Sequence, residues 1–197
     1  MIGDTETAAL VGRDGSIDWL CLPRFDSGSC FANLLGESNH GRWQIIADDA
    51  ITSHVRRYRS RSLVLESEIT TATGVVQVVD FIPVRHHHPR VVRIVRGVEG
   101  EVRMRIDLVM RFEYGYDVPW VRSTDRGVVA IAGPNALVLD SPIELNGSNP
   151  SRPTTTKLTP SWRPTRSNAL EDPPSRMMWL CKPSPFETAM PASVDCL

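Results

Sequence analysis

Two aromatic and two charged side chains share a short segment near the N-terminus: Trp19, Arg24, Phe25 and Asp26. The flat apolar faces of such rings suit the C–H side of a sugar ring, while a guanidinium or carboxylate can bond to its hydroxyl groups. The alternative is a structural interpretation, in which Trp19 belongs to the core and Arg24 pairs with Asp26 to hold a corner. The segment is therefore a candidate for contact with a substrate or with another domain.

A second aromatic group interleaves with charges further along the chain, at Phe112, Tyr114, Tyr116 and Trp120 with Arg111, Glu113 and Asp117. It is consistent with a carbohydrate platform, with part of a domain interface, or with core residues that have a polar rim. Tyr114 and Trp120 are its candidates for contact with a substrate or another domain.

Catalysis by this chain is not expected. Carboxylates occur near aromatic or turn residues at Asp18, Asp26, Asp80, Glu113 and Asp117. Their spacing pairs none of them for acid–base chemistry, so the prediction is salt bridges and turn caps, with no catalytic residue.

Neither a metal nor a cofactor is expected. Residues 86–88 are three consecutive histidines. Neighbours on an extended chain point to opposite faces, and a structural zinc site needs four ligands, so a solvated loop is predicted. The cysteines, Cys21, Cys30, Cys181 and Cys196, form no Cys-x-x-Cys pair, which favours free thiols.

Composition excludes several classes of partner. The formal net charge is −1 and no basic stripe is present, so nucleic acid is not an expected partner. No apolar run approaches the length of a membrane span, and the polar, acidic N-terminus lacks the pattern of a secretory signal. A cytoplasmic location is expected.

The pattern up to residue 147 predicts an all-β domain. Residues 101–109 alternate apolar and charged side chains, as a half-buried antiparallel strand does. They form a predicted hairpin with residues 90–96, joined by a turn at 97–100. Other predicted strands cover residues 8–11, 16–22, 74–82, 127–132 and 136–139, with one or two more within 57–68. Asp14-Gly15 predicts a tight hairpin turn between the strands at 8–11 and 16–22, and Gly133-Pro134-Asn135 predicts the turn between the last pair. A short helix is predicted to carry Phe31, Leu34 and Leu35. Many short strands separated by turn signals indicate an antiparallel β-sandwich.

Residues 148–197 differ from the rest of the chain. Nine of the fifteen prolines lie between residues 150 and 197, together with many serines and threonines. Proline removes backbone donors and restricts φ, so this segment is predicted to be an irregular or disordered tail.

The residues of the first part resemble the opening of bacterial family 15 glycoside hydrolases, which include trehalase-like and glucoamylase-like enzymes. The most specific motif is Asp-Gly-Ser-Ile-Asp-Trp-Leu-Cys-Leu-Pro-Arg-Phe-Asp-Ser at residues 14–27. Further matching segments lie at residues 2–4, 7–11, 40–43, 71–74, 80–83, 92–95, 111–115, 119–121 and 132–137.

This resemblance implies a many-stranded, supersandwich-like β-domain that precedes a catalytic (α/α)6 barrel. The barrel would carry the two catalytic glutamates and hydrolyse α-glucosidic bonds with inversion. After about Leu145 the sequence leaves the family pattern, and a chain truncated before the barrel is expected. The leading hypothesis is a non-catalytic accessory domain that docks on the barrel and lines its mouth. The alternatives are a stand-alone carbohydrate-binding module and a non-functional gene fragment.

Overall fold

The computed structural model describes residues 1–85, 88–142 and 175–181, and they form a sandwich of two antiparallel sheets. The strands are β1 (Ile2–Gly3), β2 (Ala8–Val11), β3 (Ser16–Cys21), β4 (Ser29–Phe31), β5 (Arg42–Ala47), β6 (Ile51–Tyr58), β7 (Leu65–Thr71), β8 (Gly74–Phe81), β9 (Arg90–Gly100), β10 (Met104–Val109), β11 (Trp120–Thr124), β12 (Gly127–Ala132), β13 (Asn135–Asp140) and β14 (Ser175–Cys181). Short 3-10 turns lie at Asn33–Leu35, Ser38–His40 and Glu113–Gly115.

The first sheet has the strand order β1-β2-β3-β5-β10, with β4 also paired to β3. The second has the order β11-β12-β13-β14-β9-β8-β7-β6. The predicted all-β class and antiparallel sandwich are therefore confirmed. Among the described parts of the chain, no helix has the length and hydropathy that crossing a bilayer requires.

Two predicted hairpins are confirmed, and both use a glycine with positive φ. In the first, β2 pairs with β3 and Gly15 has φ 75°. In the second, β12 pairs with β13, and Gly133 has φ 55° in the two-residue turn between Ala132 and Asn135. Glycine reaches this backbone region without the steric cost of a Cβ, which explains why the turns could be found from sequence. The segment 57–68 contains the end of β6 and the start of β7.

The predicted hairpin between residues 90–96 and 101–109 is wrong. The first strand, β9, continues through the predicted turn to Gly100 and pairs with β8 and β14. The second strand, β10, pairs with β5 in the other sheet. The chain changes sheet between these strands, and both contribute apolar side chains to the same core, Val95 from β9 and Met104 and Ile106 from β10.

The predicted helix around residues 27–35 is also wrong. Phe31 ends β4, where its side chain is fully buried, whereas Leu34 and Leu35 are exposed on a single 3-10 turn. Their helical spacing did not correspond to one buried face, because Phe31 pairs with Leu20 of β3 instead.

The predicted irregular tail needs one correction. Ser175–Cys181 forms β14, inserted between β13 and β9. This run contains no proline, although Pro173, Pro174 and Pro183 stand just outside it. Its backbone can therefore complete two ladders, which the proline density of the surrounding sequence obscured. The other residues of the predicted tail beyond residue 142 lie outside the described part of the chain.

The core lies between the two sheets. Buried side chains of the first sheet include Ile17, Leu20, Trp43, Met104 and Ile106, and those of the second include Ile69, Val78, Val95 and Leu137. In β7 alternate residues are buried, because successive side chains point to opposite faces of a sheet. The sandwich thus presents its outward-facing residues and its loops as the surfaces available for function.

Candidate functional site

Trp19 and Tyr114 come together although 95 positions separate them in sequence. Their ring centroids are 5.9 Å apart and the ring planes are inclined by 36°. Trp19 is half-buried rather than part of the interior core, and Tyr114 is 44% exposed. Of the residues singled out in the sequence, these are the two that a ring contact joins.

A β-bulge positions Trp19. Leu10 is opposite Trp19 and Val11 is opposite Ile17, so Asp18 is an extra residue in β3. A bulge locally changes the direction in which side chains point. Ile17 is fully buried before the bulge, whereas Trp19 is left partly accessible after it.

A turn with an unusual backbone positions Tyr114. Glu113, Tyr114 and Gly115 have φ values of 48°, 61° and 98°. Glycine tolerates this region, but a non-glycine residue there costs on the order of 1–3 kcal/mol. Two consecutive residues of this kind persist only where neighbouring structure holds them.

Hydrogen bonds from several directions hold the turn. The Tyr114 N–H donates to Ser29 Oγ on β4 at 2.8 Å. Phe112 and Asp117 form an antiparallel bridge across the base, and the Tyr116 N–H donates to the Glu113 carbonyl at 3.2 Å. Phe112 is itself almost fully buried, so the turn is anchored in the core.

The Glu113 side chain fills the space beneath the turn. An added Cβ on Gly28 would stand only 2.1 Å from Glu113 Oε1, so the carboxylate lies directly against this glycine. Asn135 Nδ2 donates to the same oxygen at 3.3 Å from the β12–β13 hairpin. Burial, and secondarily the charge of Glu113, raise the pKa of the Cys21 thiol. One carboxylate of the turn therefore contacts the loop that leads into β4 of the first sheet and the start of β13 in the second.

The other candidates of the N-terminal segment have partners of their own. Arg24 Nε donates to Asp26 Oδ1 at 3.1 Å, with both side chains largely exposed. The hydrogen bond from Arg24, then one from its own backbone and the Arg24 charge, lower the pKa of Asp26. Phe25 is exposed, and its N–H donates to the Glu6 carbonyl at 3.0 Å. This ion pair follows the structural interpretation, and solvent screens such an exposed pair, so it adds little to stability.

The second aromatic group does not form one cluster. Phe112 is a core residue, Tyr114 contacts Trp19, and Tyr116 is 88% exposed. Trp120 is half-exposed on β11, an edge strand of the second sheet, where it lies opposite Ile131. Their proximity in sequence was consistent with a single platform. In the fold, however, Phe112 points into the core, Tyr114 contacts Trp19 and Trp120 lies on the edge strand β11.

Exposed apolar side chains lie on two loops whose proximity the sequence did not predict. Leu34, Leu35 and Tyr116, here called the loop patch, are all largely exposed. Their loops meet at His40: an added Cβ on Gly36 would stand 2.5 Å from its Nδ1, and one on Gly115 would stand 2.5 Å from its Cδ2. In the sequence, only Gly36 and Gly115 could have indicated this close approach to His40, because no chemical motif marks it.

The candidate carboxylates are held by separate partners. Asp80 pairs with Arg93, Asp26 with Arg24, and Asp18 Oδ1 accepts from Asn33 Nδ2 at 2.7 Å. Among the described side chains, no group of three or more His, Cys, Asp or Glu residues is placed to hold a metal ion. His86 and His87 lie outside the described residues, so the predicted histidine loop stays a prediction.

The chain is similar to known trehalases over its N-terminal part. Residues 1–149 match the protein family described as "Trehalase-like, N-terminal". The trehalase of Thermoplasma volcanium is 28% identical over 150 residues, which cover 73% of this chain and 24% of that protein. Trehalase 1 of Sulfolobus acidocaldarius is 32% identical over 127 residues, which cover 64% of this chain and 21% of that protein.

A mycobacterial relative shows the same partial coverage. The trehalase of Mycolicibacterium smegmatis is 37% identical over 73 residues, which cover 37% of this chain and 11% of that protein. The chain thus spans at most about a quarter of the length of these curated relatives. No solved structure matches it significantly. Because the family match covers most of the chain, the protein belongs to the trehalase-like N-terminal domain family.

Proposed function

We propose that this protein is the non-catalytic accessory domain of a family 15 glycoside hydrolase that cleaves α-glucosidic bonds in trehalose or α-glucans. The relatives that it matches are trehalases, and the match covers only the smaller part of each. Inverting hydrolysis requires a general acid and a general base about 6.5–9.5 Å apart. In this proposal both carboxyl groups belong to a catalytic (α/α)6 barrel, in the same polypeptide or in a partner chain.

The single observation that carries a docking role is the loop patch. Leu34 and Leu35 are 59% and 67% exposed, and Tyr116 lies on the loop that meets theirs at His40. Clustered apolar side chains at a surface are favourable when another protein surface removes them from water. The barrel is the partner that we assign to this patch, and the setting that we propose is the cytoplasm, where the buried thiols of Cys21 and Cys30 would stay reduced.

A chimaera tests this function. Residues 1–149 of this chain replace the matched N-terminal region of the Thermoplasma volcanium trehalase, and trehalose hydrolysis is measured with thermal unfolding of the product. We expect a folded, active enzyme. A chimaera whose catalytic part is folded but inactive would contradict the proposal, as would trehalose hydrolysis by the present chain alone.

Paired substitutions test the docking surface within the same chimaera. The double variant Leu34→Asp, Leu35→Asp should lower the unfolding temperature and the activity, because it places charge in the interface. Val55→Asp is the matched control, since Val55 is an equally exposed apolar residue on β6 of the other sheet. If both changes lowered the unfolding temperature and the activity equally, the loop patch would not be the docking site.

A further inference from the structure

We propose that Trp19 and Tyr114 form a subsite for a neutral pyranose ring of an α-glucoside, an inference that rests on the function proposed above. The juxtaposition of their rings, at 5.9 Å and 36°, is the geometry that carries it. Neither residue supplies an acid or a base, so both act by binding and orienting the sugar.

The backbone of the Glu113–Gly115 turn is the first step of the argument. Glu113 and Tyr114 both occupy the left-handed region, yet Tyr114 remains 44% exposed. Burial of this ring therefore does not explain why the chain maintains so costly a conformation. Strained positions of this kind occur preferentially at ligand sites, where they fix a side chain in advance.

The chemistry of the pair is the second step. Aromatic faces carry partial negative charge, and the C–H groups on one side of a pyranose carry partial positive charge, so the two surfaces attract. The carboxylates beside the two rings in sequence already have protein partners: Asp18 accepts from Ser16 and Asn33, and Glu113 accepts from Asn135. The ring faces therefore carry the recognition, and they favour an uncharged polyol ring over an anion.

The position of the pair is the third step. Gly115 belongs to the turn that carries Tyr114, and it packs against His40, where the two loops of the loop patch meet. The ring pair therefore borders the surface that we assign to the barrel. A sugar held there would lie at the boundary between the two domains, which is where ligand sites often occur.

The experiment uses the complete chain and trehalose as the probe. The indole N–H resonance of Trp19 is followed by NMR during titration with trehalose and, as a non-ring polyol, glycerol. We expect a saturable shift with trehalose at millimolar concentrations and none with glycerol. An unshifted Trp19 resonance in the folded protein would overturn the proposal, and so would an equal response to glycerol.

Four variants separate a binding role from a structural one. Tyr114→Gly removes the ring and relieves the left-handed strain, so it should weaken trehalose binding about tenfold without lowering the unfolding temperature. Tyr114→Phe keeps the ring and should bind as the parent does, while Trp19→Ala should also weaken binding. Tyr58→Ala is the control, because it removes a half-exposed aromatic ring from β6 of the other sheet.

The outcomes are distinguishable from those of the docking proposal. Unchanged trehalose binding in Tyr114→Gly or Trp19→Ala would reject the subsite, whatever the chimaera does. An active chimaera together with no sugar response at Trp19 would leave the accessory function in place and reject only the subsite.

Discussion

Arg93 lies directly opposite Asp80 on the neighbouring strand, and both side chains are buried between the two sheets. The guanidinium donates from Nε to Asp80 Oδ1 at 2.9 Å and from a terminal nitrogen to Oδ2 at 3.2 Å. It also donates to the Trp43 carbonyl at 2.6 Å and to the Gly15 carbonyl at 2.7 Å. One side chain of the second sheet thereby binds the backbone of the first, beneath the turn that leads into β3.

The Asp80→Asn substitution should destabilise the fold strongly. It leaves the buried Arg93 without a counter-charge, and breaking such a pair from one side typically costs about 3–5 kcal/mol. Urea unfolding followed by fluorescence measures the loss. The control is Arg126→Gln, which removes the pair between the largely exposed Arg126 and Asp140, 2.8 Å apart, and should cost no more than about 1 kcal/mol. Similar losses in the free energy of unfolding in both variants would show that burial does not increase the contribution of the Arg93–Asp80 pair to stability.

The two hairpin glycines should differ in their tolerance of alanine. Both have positive φ, but an added Cβ on Gly15 would stand 2.2 Å from the Ile45 carbonyl oxygen, whereas nothing lies within 4 Å of one on Gly133. We expect Gly133→Ala to cost about 1–2 kcal/mol, from the left-handed backbone alone. Gly15→Ala should cost clearly more, because a backbone atom must also move. Equal free energies of unfolding for the two variants would contradict this.

Stability should decline in alkaline solution partly because of Cys21. Burial, and then the charge of Glu113, raise the pKa of this thiol above its ordinary value of 9.0. The folded state therefore keeps a proton that the unfolded state releases, so the free energy of unfolding falls as the pH rises above 9.0 toward the folded pKa. Cys21→Ala should show a smaller decline over this range in urea titrations. A variant curve parallel to that of the parent would exclude the contribution.

His54 should contribute a loss of stability in weak acid. Its pKa is lowered from 6.5 by burial and by the nearby charge of Arg56. The unfolded state takes up the proton more readily, so stability is fully present above pH 6.5 and decreases as the pH falls toward the folded pKa. His54→Gln should have a flatter profile between neutral and acidic pH, measured by urea unfolding. A profile as steep as that of the parent would assign the acid sensitivity to other groups.

The amino-acid sequence by itself determined the local features of this fold. Alternation of apolar and polar residues predicted the strands, since period two is a property of each strand alone. Gly15 and Gly133 predicted two tight turns because the backbone requirement there is local. The long motif at residues 14–27 indicated the family through residue identity.

Only the tertiary structure decided which elements and side chains meet. A period-two pattern shows that a strand has a buried face but not which sheet will cover it, so the sheet change between β9 and β10 was not predictable. The prolines on either side of residues 175–181 hid β14. The burial of Arg93 was hidden because its partners lie on other strands. Trp19 and Tyr114 were each identifiable as aromatic candidates, but their contact depends on a bulge in β3 and a strained turn after β10. Such long-range relationships arise when the whole sandwich packs, because the contacts that maintain them come from both sheets.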